Sequence, residues 1–152
     1  MSEEKSKDNS KDIRKRVKKA AVHHAISEYG KLQPQAVDVE EAVLGALMLE
    51  GRALSEVVDI LKPEVFYKDQ NQRIMAAILS LFQKNDAIDI LTVTDELKKS
   101  GDLDIVGGAF YVAQLTNRVA SAAHIEHHSR ILLQQYIKRE LINISSDISR
   151  DS

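Results

Sequence analysis

The chain has 152 residues and a formal net charge of −2, and it contains no cysteine, which excludes disulfides, thiolate metal sites and cysteine nucleophiles. Hydrophobic residues make up 43% of the sequence but aromatic residues only 5%, and this aliphatic, alanine-rich composition predicts an all-α fold. Residues 1–31 hold nine Lys/Arg and five Asp/Glu, whereas residues 32–152 hold twelve and eighteen, so the acidic larger part is a poor candidate for a broad phosphate-binding surface.

The chain is predicted to comprise three segments. We expect a charged, disordered or partly helical tail over residues 1–32, a compact helical head over residues 33–120 and one long C-terminal helix over residues 121–152. No apolar run approaches the roughly 20 residues of a membrane-spanning helix, and the first residues lack the apolar stretch of a signal peptide. A cytoplasmic protein is therefore expected.

The N-terminal tail allows two interpretations. Residues 1–12 are dominated by Ser, Lys, Glu and Asp and are expected to be disordered, while residues 13–29 could form a helix that Gly30 ends. Basic residues at 14–16 and 18–19 surround its apolar positions. A solvated tail is the favoured interpretation, and a DNA-binding helical module that uses this basic tail is the alternative.

The head begins after Gln33-Pro34, because the residue before proline avoids the helical conformation. Asp38 is expected to cap the first helix, with Glu41 as its capping-box partner. The helix should end near Gly51.

Two further helices are predicted in the head. The second covers about residues 53–61 and is broken by Pro63, and the turn that follows should place Phe66 in the core. The third covers about residues 69–83. Its expected inward-facing residues are Ile74, Ile78, Leu81 and Phe82. Residues 86–92 are the one candidate for extended chain.

Capping signals also mark the fourth and fifth helices. Thr92 is expected to cap the fourth helix with Asp95 at the reciprocal position, and Gly101 to end it. Gly107 and Gly108 are expected to open the fifth helix. A tight turn that requires glycine is favoured here over an anion site at the helix N-terminus.

The last helix is predicted to start at a Ser121 cap and to reach about Ile148. An apolar stripe recurs along it at spacings of four, four, three and four, formed by Leu133, Ile137, Leu141, Ile144 and Ile148. Away from this stripe lie Ile131 and Ile142 on one side and Ile125, Leu132 and Tyr136 on the other. A helix that is apolar on more than one side predicts a second partner surface.

The sequence offers no constellation for catalysis. None of the six glycines has the spacing of a P-loop, so this chain is not expected to hydrolyse nucleotides. His124, His127 and His128 have helical spacing, but without an HExxH motif or cysteine a polar helix face is favoured over a metal site. The carboxylates are scattered. We expect no catalytic residue, no metal and no cofactor in this chain.

Five short motifs follow one another across residues 34–148. They are V-D-V-E-E-A-V-L-G at 37–45, E-V-F-Y at 64–67 with Q-N-Q-R-I at 70–74, I-D-I-L-T-V at 88–93, L-D-I-V-G-G-A-F-Y-V at 103–112, and S-A-A-H-I at 121–125 with R-I at 130–131. In this order they resemble the N-terminal domain of bacterial replicative helicases of the DnaB family. The family forms are E-A-E-Q-x-V-L-G, D-F-Y with H-x-x-I-F, P-I-D-x-V-T-V, L-x-x-V-G-G-x-x-Y-L and T-A-A-N-I.

The departures from the family pattern lie in turns. Ala87 and Ala120 stand where the family commonly has proline, and His124 stands where it commonly has asparagine. These differences change turn chemistry and involve no catalytic group.

The resemblance implies a function for the chain. Family members are hexameric 5′–3′ DNA helicases, and they bind ATP and Mg²⁺ in a C-terminal domain that this chain does not contain. Their N-terminal domain is a helical head followed by a helical hairpin, so the long helix would be the first half of that hairpin. These domains pair into a collar and dock the C-terminal domain of primase. A non-catalytic collar domain of a truncated helicase is therefore expected.

One set of contact residues is implied by the resemblance, and a second set is predicted from the apolar stripe of the last helix. The family's primase-docking positions fall on Tyr111, Ile142 and Ile148. The apolar stripe is expected to mediate a dimer of this domain, through Leu133, Ile137, Leu141, Ile144 and Ile148. Ile144 and Ile148 should then be exposed in a monomer.

Overall fold

The computed structural model of the protein describes residues 13–16, 18 and 33–151. Contacts divide the chain into one unit of residues 1–34 and another of residues 35–152. The second unit contains all the elements that follow.

The first unit is described only in part. Residues 13–16 and 18 are helical, which agrees with the helix predicted in the tail. The expected disorder of residues 1–12, the helix end at Gly30 and Lys19 of the basic segment lie outside the described residues.

Within residues 35–151 the chain is helical and contains no strand, which confirms the all-α prediction. The helices are α1 (Val37–Leu49), α2 (Leu54–Val57), α3 (Asp69–Gln83), α4 (Ile90–Ser100), α5 (Leu103–Val106), α6 (Gly108–Leu115) and α7 (Ile125–Asp151). Single turns of 3-10 helix lie at Gly51–Ala53, Pro63–Val65 and Thr116–Arg118. In the described part of the chain, no helix is both long and apolar enough to cross a membrane.

Helix α1 lies at the centre of the head. It contacts α3, α4, α6 and α7, and most of its side chains are buried. The closest approach is at Gly45, where a Cβ atom would overlap the carbonyl oxygen of Leu115 at the end of α6. The other residues of the hydrophobic core are aliphatic or methionine except for Phe66, which is fully buried after the Pro63 turn, as predicted.

The helix predicted over residues 53–61 is shorter than expected. A 3-10 turn leads into α2, which ends at Val57. The N–H groups of Ile60 and Leu61 both donate to the carbonyl oxygen of Val57, so the backbone tightens there and the helix stops. Leu54, Val57 and Leu61 are still fully buried.

The capping box predicted for α1 is wrong. The helix begins at Val37 and no side chain caps it, so Asp38 lies inside the first turn. Glu41 does not reach back to the helix start, because its Oε2 lies 3.0 Å from Nη2 of Arg118 in a tertiary ion pair. Glu41, the expected capping partner of Asp38, is therefore paired with a residue that is distant in sequence.

The capping box predicted for α4 is displaced by three residues. Asp89 is the N-cap: its Oδ1 accepts the N–H of Thr92 at 2.9 Å, and its own N–H donates to Thr92 Oγ1 at 2.9 Å. Asp95 instead pairs with Lys99 at 3.1 Å. Because α4 starts at Ile90, the extended segment predicted over residues 86–92 is also wrong in its second half.

Two differences remain in the head. Phe82 was expected to face the core, yet it is exposed and lines an open cleft of about 490 Å³ together with Gly51 and Ile88. Helix α5 was not predicted, because four residues are too few to show a helical period. Gly107, with φ of 110°, ends it in the left-handed conformation that glycine favours.

Helix α7 starts later than predicted. The Oγ of Ser121 accepts the N–H of Ala123 at 3.3 Å, so it supports a local turn, and the helix begins at Ile125. It contacts α1, α2 and the Pro63–Val65 turn. The buried residues on this head-facing side are Ile125, Ser129, Leu132 and Arg139.

The predicted apolar stripe of α7 lies on the other side. Leu133 is half-buried, and the exposed fractions of Ile137, Leu141, Ile144 and Ile148 are 47, 59, 53 and 65%. Leu133 follows the buried Leu132 by one residue, which turns it by roughly 100° around the helix. The head therefore covers the side of α7 that holds Ile125 and Leu132, which the sequence analysis placed beside the stripe. The predicted exposure of Ile144 and Ile148 is confirmed.

Candidate docking site around a buried carboxylate

Glu40, on α1, is almost completely buried. Its Oε2 accepts the N–H of Tyr67 at 2.6 Å. Its Oε1 accepts the N–H of Lys68 at 3.3 Å and Nδ2 of Asn71 at 3.0 Å. A carboxylate is stable in such a place only when donors replace the water it has lost. One side chain of α1 therefore holds both the chain at residues 67–68 and the start of α3.

Asn71 connects this carboxylate to Tyr111 on α6. Asn71 is fully buried, and its Oδ1 accepts the hydroxyl of Tyr111 at 2.8 Å. Burial of the phenol, followed by the nearby Glu41 and Glu40 carboxylates, raises the pKa of Tyr111 to about 12. At neutral pH the phenol is therefore a protonated donor whose ring is held at the half-buried edge of the head.

Arg139 joins α7 to the same cluster. Its Nη2 donates to the carbonyl oxygen of Val65 at 2.9 Å. Its guanidinium carbon lies 5.5 Å from the centre of the Tyr67 ring and 5.8 Å from that of Tyr136. Burial lowers the pKa of Arg139, while the Glu40 charge acts in the opposite direction. We refer to Glu40, Asn71, Tyr111 and Arg139 as the Glu40 network.

The three predicted primase-contact residues do not share one position. Tyr111 belongs to the Glu40 network. Ile142 is half-buried and follows Arg139 by three residues, so both lie on the same side of α7, one turn apart. Ile148 is exposed and lies roughly 9 Å beyond Ile142, about 120° further round the helix. The structure therefore places Tyr111 and Ile142 beside the network and Ile148 away from it.

The predicted self-association residues form what we call the outer face of α7. Its members are Leu133, Ile137, Leu141, Ile144 and Ile148, of which all but Leu133 are exposed. Soluble monomers seldom expose apolar side chains in a continuous row of this kind. The outer face therefore has the character of an interaction surface.

Three histidines lie together where α7 begins. The ring centres of His124 and His128 are 6.1 Å apart, and those of His127 and His128 are 5.9 Å apart. Burial, and then the neighbouring imidazoles, lower the pKa of His128, which favours its neutral form. Over residues 33–149, no three potential metal ligands are grouped closely enough to hold an ion, so the cluster gives no metal site there.

Sequence reasoning missed the centre of this site. Glu40 stands beside Glu41 in a run that resembles a solvated helix surface, and Asn71 precedes the periodic part of α3. Only Arg139 leaves a trace, because it occupies a position in register with Ile125, Leu132 and Tyr136. A charged residue on an otherwise apolar face is the signal by which a buried partner could have been found.

Comparison with known proteins was consistent with this architecture. Residues 32–134 match the family model described as the DnaB-like helicase N terminal domain. The replicative DNA helicase DnaB of Rhodothermus marinus is 44% identical over 121 residues, which cover 80% of this chain and 13% of that relative. The chain thus spans a small part of the length of this curated relative.

Solved structures show the same fold. The N-terminal domain of DnaB helicase from Mycobacterium tuberculosis superposes with a TM-score of 0.75 at 30% identity, covering 78% of this chain and 86% of that one. A DnaB-like replicative helicase, described together with its interactions with primase, superposes with a TM-score of 0.68 at 25% identity. That match covers 76% of this chain and 27% of the other.

Proposed function

Because this chain belongs to the family of DnaB-like helicase N-terminal domains, we propose that it is the non-catalytic collar domain of a replicative DNA helicase. In this role it mediates the association of subunits in the hexamer and docks primase at the replication fork. The relative from Rhodothermus marinus is named a replicative DNA helicase.

The observation that carries the proposal is the exposed outer face of α7. Burying one isoleucine side chain is worth roughly 1.5–3 kcal/mol, and Ile144 and Ile148 are both exposed in the single chain. Two copies gain free energy when they cover these residues mutually. A twofold pair, in which each outer face covers the other, satisfies both chains at once.

The Glu40 network supports the docking of primase. A related helicase has been solved and described with its primase interactions. In this chain the network presents Tyr111 as a rigid aromatic group, since its hydroxyl is held by the buried Asn71, and Ile142 lies half-buried one turn beyond Arg139. We assign Tyr111 and Ile142, beside the network, and Ile148, roughly 9 Å further along α7, to the primase contact.

The activity of the whole protein is proposed from the relatives. We expect an ATP-dependent 5′–3′ DNA helicase in which a separate domain binds ATP and Mg²⁺. The 152-residue chain has no P-loop motif, so on its own it should not hydrolyse ATP. A colorimetric phosphate assay with and without single-stranded DNA checks this, and DNA-stimulated turnover by a homogeneous preparation would contradict it.

A pull-down with the C-terminal domain of the cognate primase tests the docking proposal. We expect the full chain to retain the primase domain and a Tyr111→Ala, Ile142→Ala, Ile148→Ala variant to lose it, because truncating an interface anchor costs about 2 kcal/mol or more. Leu91→Ala, which removes an exposed side chain from α4, is the control. Failure of the wild-type chain to bind would reject primase docking, and unchanged binding of the triple variant would reject the assigned residues.

A DNA-binding role for the basic tail is distinguished by salt. If phosphate contacts dominate, the logarithm of the DNA affinity falls steeply and linearly with the logarithm of salt concentration. A flat dependence, or no binding, leaves the collar as the better assignment.

A further inference from the structure

We propose that Tyr67 and Lys68 determine the specificity of the docking site, by offering the partner an aromatic ring and a cation side by side. This inference rests on the proposed function, since it names further contacts of the same partner. The partner surface that fits them is apolar and carries a carboxylate at its edge.

The backbone that carries these two residues is fixed from both directions. Phe66 is fully buried directly before them, and its carbonyl oxygen accepts Nε2 of Gln72 at 2.8 Å. The N–H groups of Tyr67 and Lys68 both donate to Glu40. Two consecutive residues therefore have their main chain tied to buried groups. Such preorganisation lowers the entropy that a docking site loses on binding.

Tyr67 combines this rigid backbone with an exposed ring. Tyr67 is 41% exposed, and the guanidinium of Arg139 lies 5.5 Å from the centre of its ring. That cation holds one side of the ring against α7, one turn before Ile142. Contacts therefore run from Tyr67 towards both predicted primase-contact residues beside the network. One path leads through Glu40 and Asn71 to Tyr111, and the other leads to Arg139, one turn before Ile142 on α7.

Lys68 adds a positive charge at Tyr111. Its Nζ lies 5.4 Å from the centre of the Tyr111 ring, so any group that docks on this ring approaches the ammonium. The surroundings make this charge selective, since residues 32–152 hold six more acidic than basic residues. A carboxylate on the partner is repelled by most of the domain and attracted here. Such local complementarity favours one register of docking and one sign of partner charge.

The competing occupant is a second copy of this chain. Its own surface is acidic, so it also offers carboxylates, but the apolar face available for self-pairing is the outer face of α7. In the Tyr67–Lys68 pair, Tyr67 contacts Arg139 on the head-facing side of α7, and Lys68 contacts the ring of Tyr111. We therefore assign it to the partner protein.

The test uses the full chain and measures affinity for the primase C-terminal domain by titration at two salt concentrations. Tyr67→Ala and Lys68→Glu should each weaken binding by about tenfold or more, and Lys68→Glu should also flatten its salt dependence. Tyr67→Phe and Lys68→Arg should bind like the wild type, because ring and charge are kept. Leu91→Ala is the surface control, and thermal unfolding of every variant verifies folding.

The outcomes separate the two proposals. If the wild-type chain binds and Tyr111→Ala weakens binding while Tyr67→Ala and Lys68→Glu do not, this inference is overturned and the proposed function stands. If those two variants alter sedimentation instead of primase affinity, the occupant is a second copy and the inference is also overturned. If the wild-type chain does not bind primase at all, both fall.

Discussion

The two apolar faces of α7 are similar in sequence but have different surroundings. On the head-facing side Ile125 and Leu132 are buried and Arg139 donates to the carbonyl oxygen of Val65. On the outer face, residues of the same type, such as Leu141 and Ile144, are exposed. Hydrophobicity does not distinguish the faces. The polar anchor does, because rotating α7 to bury the outer face would break the Arg139 contacts and leave a buried carbonyl unpaired.

The largest effect on the anchoring of α7 is expected from removing the Glu40 carboxylate, which lies at the centre of the Glu40 network. Glu40→Ala leaves the N–H groups of Tyr67 and Lys68 and the Asn71 amide without their acceptor, and should lower the free energy of unfolding by about 3–5 kcal/mol. Urea denaturation followed by circular dichroism measures it. Glu56→Ala, which removes an exposed carboxylate from α2, is the matched control. Equal stability of the two variants would show that the network does not anchor the head.

The packing of the head gives a second test. Gly45→Ala places a methyl group on the carbonyl oxygen of Leu115, so α1 and α6 must separate. Overpacking of this kind should cost about 3 kcal/mol. Differential scanning calorimetry at neutral pH measures the change. A variant as stable as the wild type would mean that the two helices separate freely, and that the head is less rigid than its contacts indicate.

Alkaline unfolding tests the link to Tyr111. The unfolded chain releases the tyrosine proton near pH 10, but the folded chain keeps it until about pH 12. The folded pKa is raised, so the stabilisation is complete below pH 10 and is lost as the pH rises towards 12. Tyr111→Phe should flatten this decline and should cost about 1 kcal/mol at neutral pH, because the bond to Asn71 is lost.

The matched control for that experiment is Tyr136→Phe. It removes a hydroxyl outside the bond between Tyr111 and Asn71, so the alkaline decline should persist. Chemical denaturation at fixed pH values from 8 to about 12 provides the curves. A decline that is equally steep in Tyr111→Phe would show that the Tyr111 phenol does not cause the loss of stability at high pH.

The outer face should have the smallest effect on folding. Ile144→Ser with Ile148→Ser changes exposed residues, so the free energy of unfolding of the monomer should move by about 0.5 kcal/mol or less. Self-association should nevertheless be lost, as measured by sedimentation velocity at rising concentration. Ile105→Ser, on the exposed side of α5, is the control and should leave association intact. A wild-type chain that stays monomeric at high micromolar concentration would refute the proposed pairing.

Long periodic segments were predictable. Helix α3 has the predicted bounds, residues 69–83, because a fifteen-residue stretch without glycine or proline allows one apolar register to repeat. Gly101 ends α4 in the left-handed conformation, as expected of a glycine after the last helical turn. The family was also predictable from the sequence, because five motifs in the order typical of DnaB are stronger evidence than any one motif alone.

Helix starts were less predictable, for a physical reason. A capping residue is identified by the hydrogen bond it makes, and several nearby side chains compete for that role. Near α4 both Asp89 and Thr92 qualify, and the structure uses Asp89 as the cap with Thr92 as its partner. At α1 the expected partner, Glu41, lies beside Arg118 instead. Local spacing contains no information about such distant competitors.

The helical class, the apolar period of α3, the absence of a P-loop and the family could all be predicted from the sequence. Each of these depends on composition or on short stretches of residues that are close together in the chain. The three-dimensional packing was needed to show which apolar face of α7 meets the head and that Glu40 is buried. Periodicity shows that a face is apolar but not what covers it, and a carboxylate can leave water only where backbone and side-chain donors from distant segments converge on it.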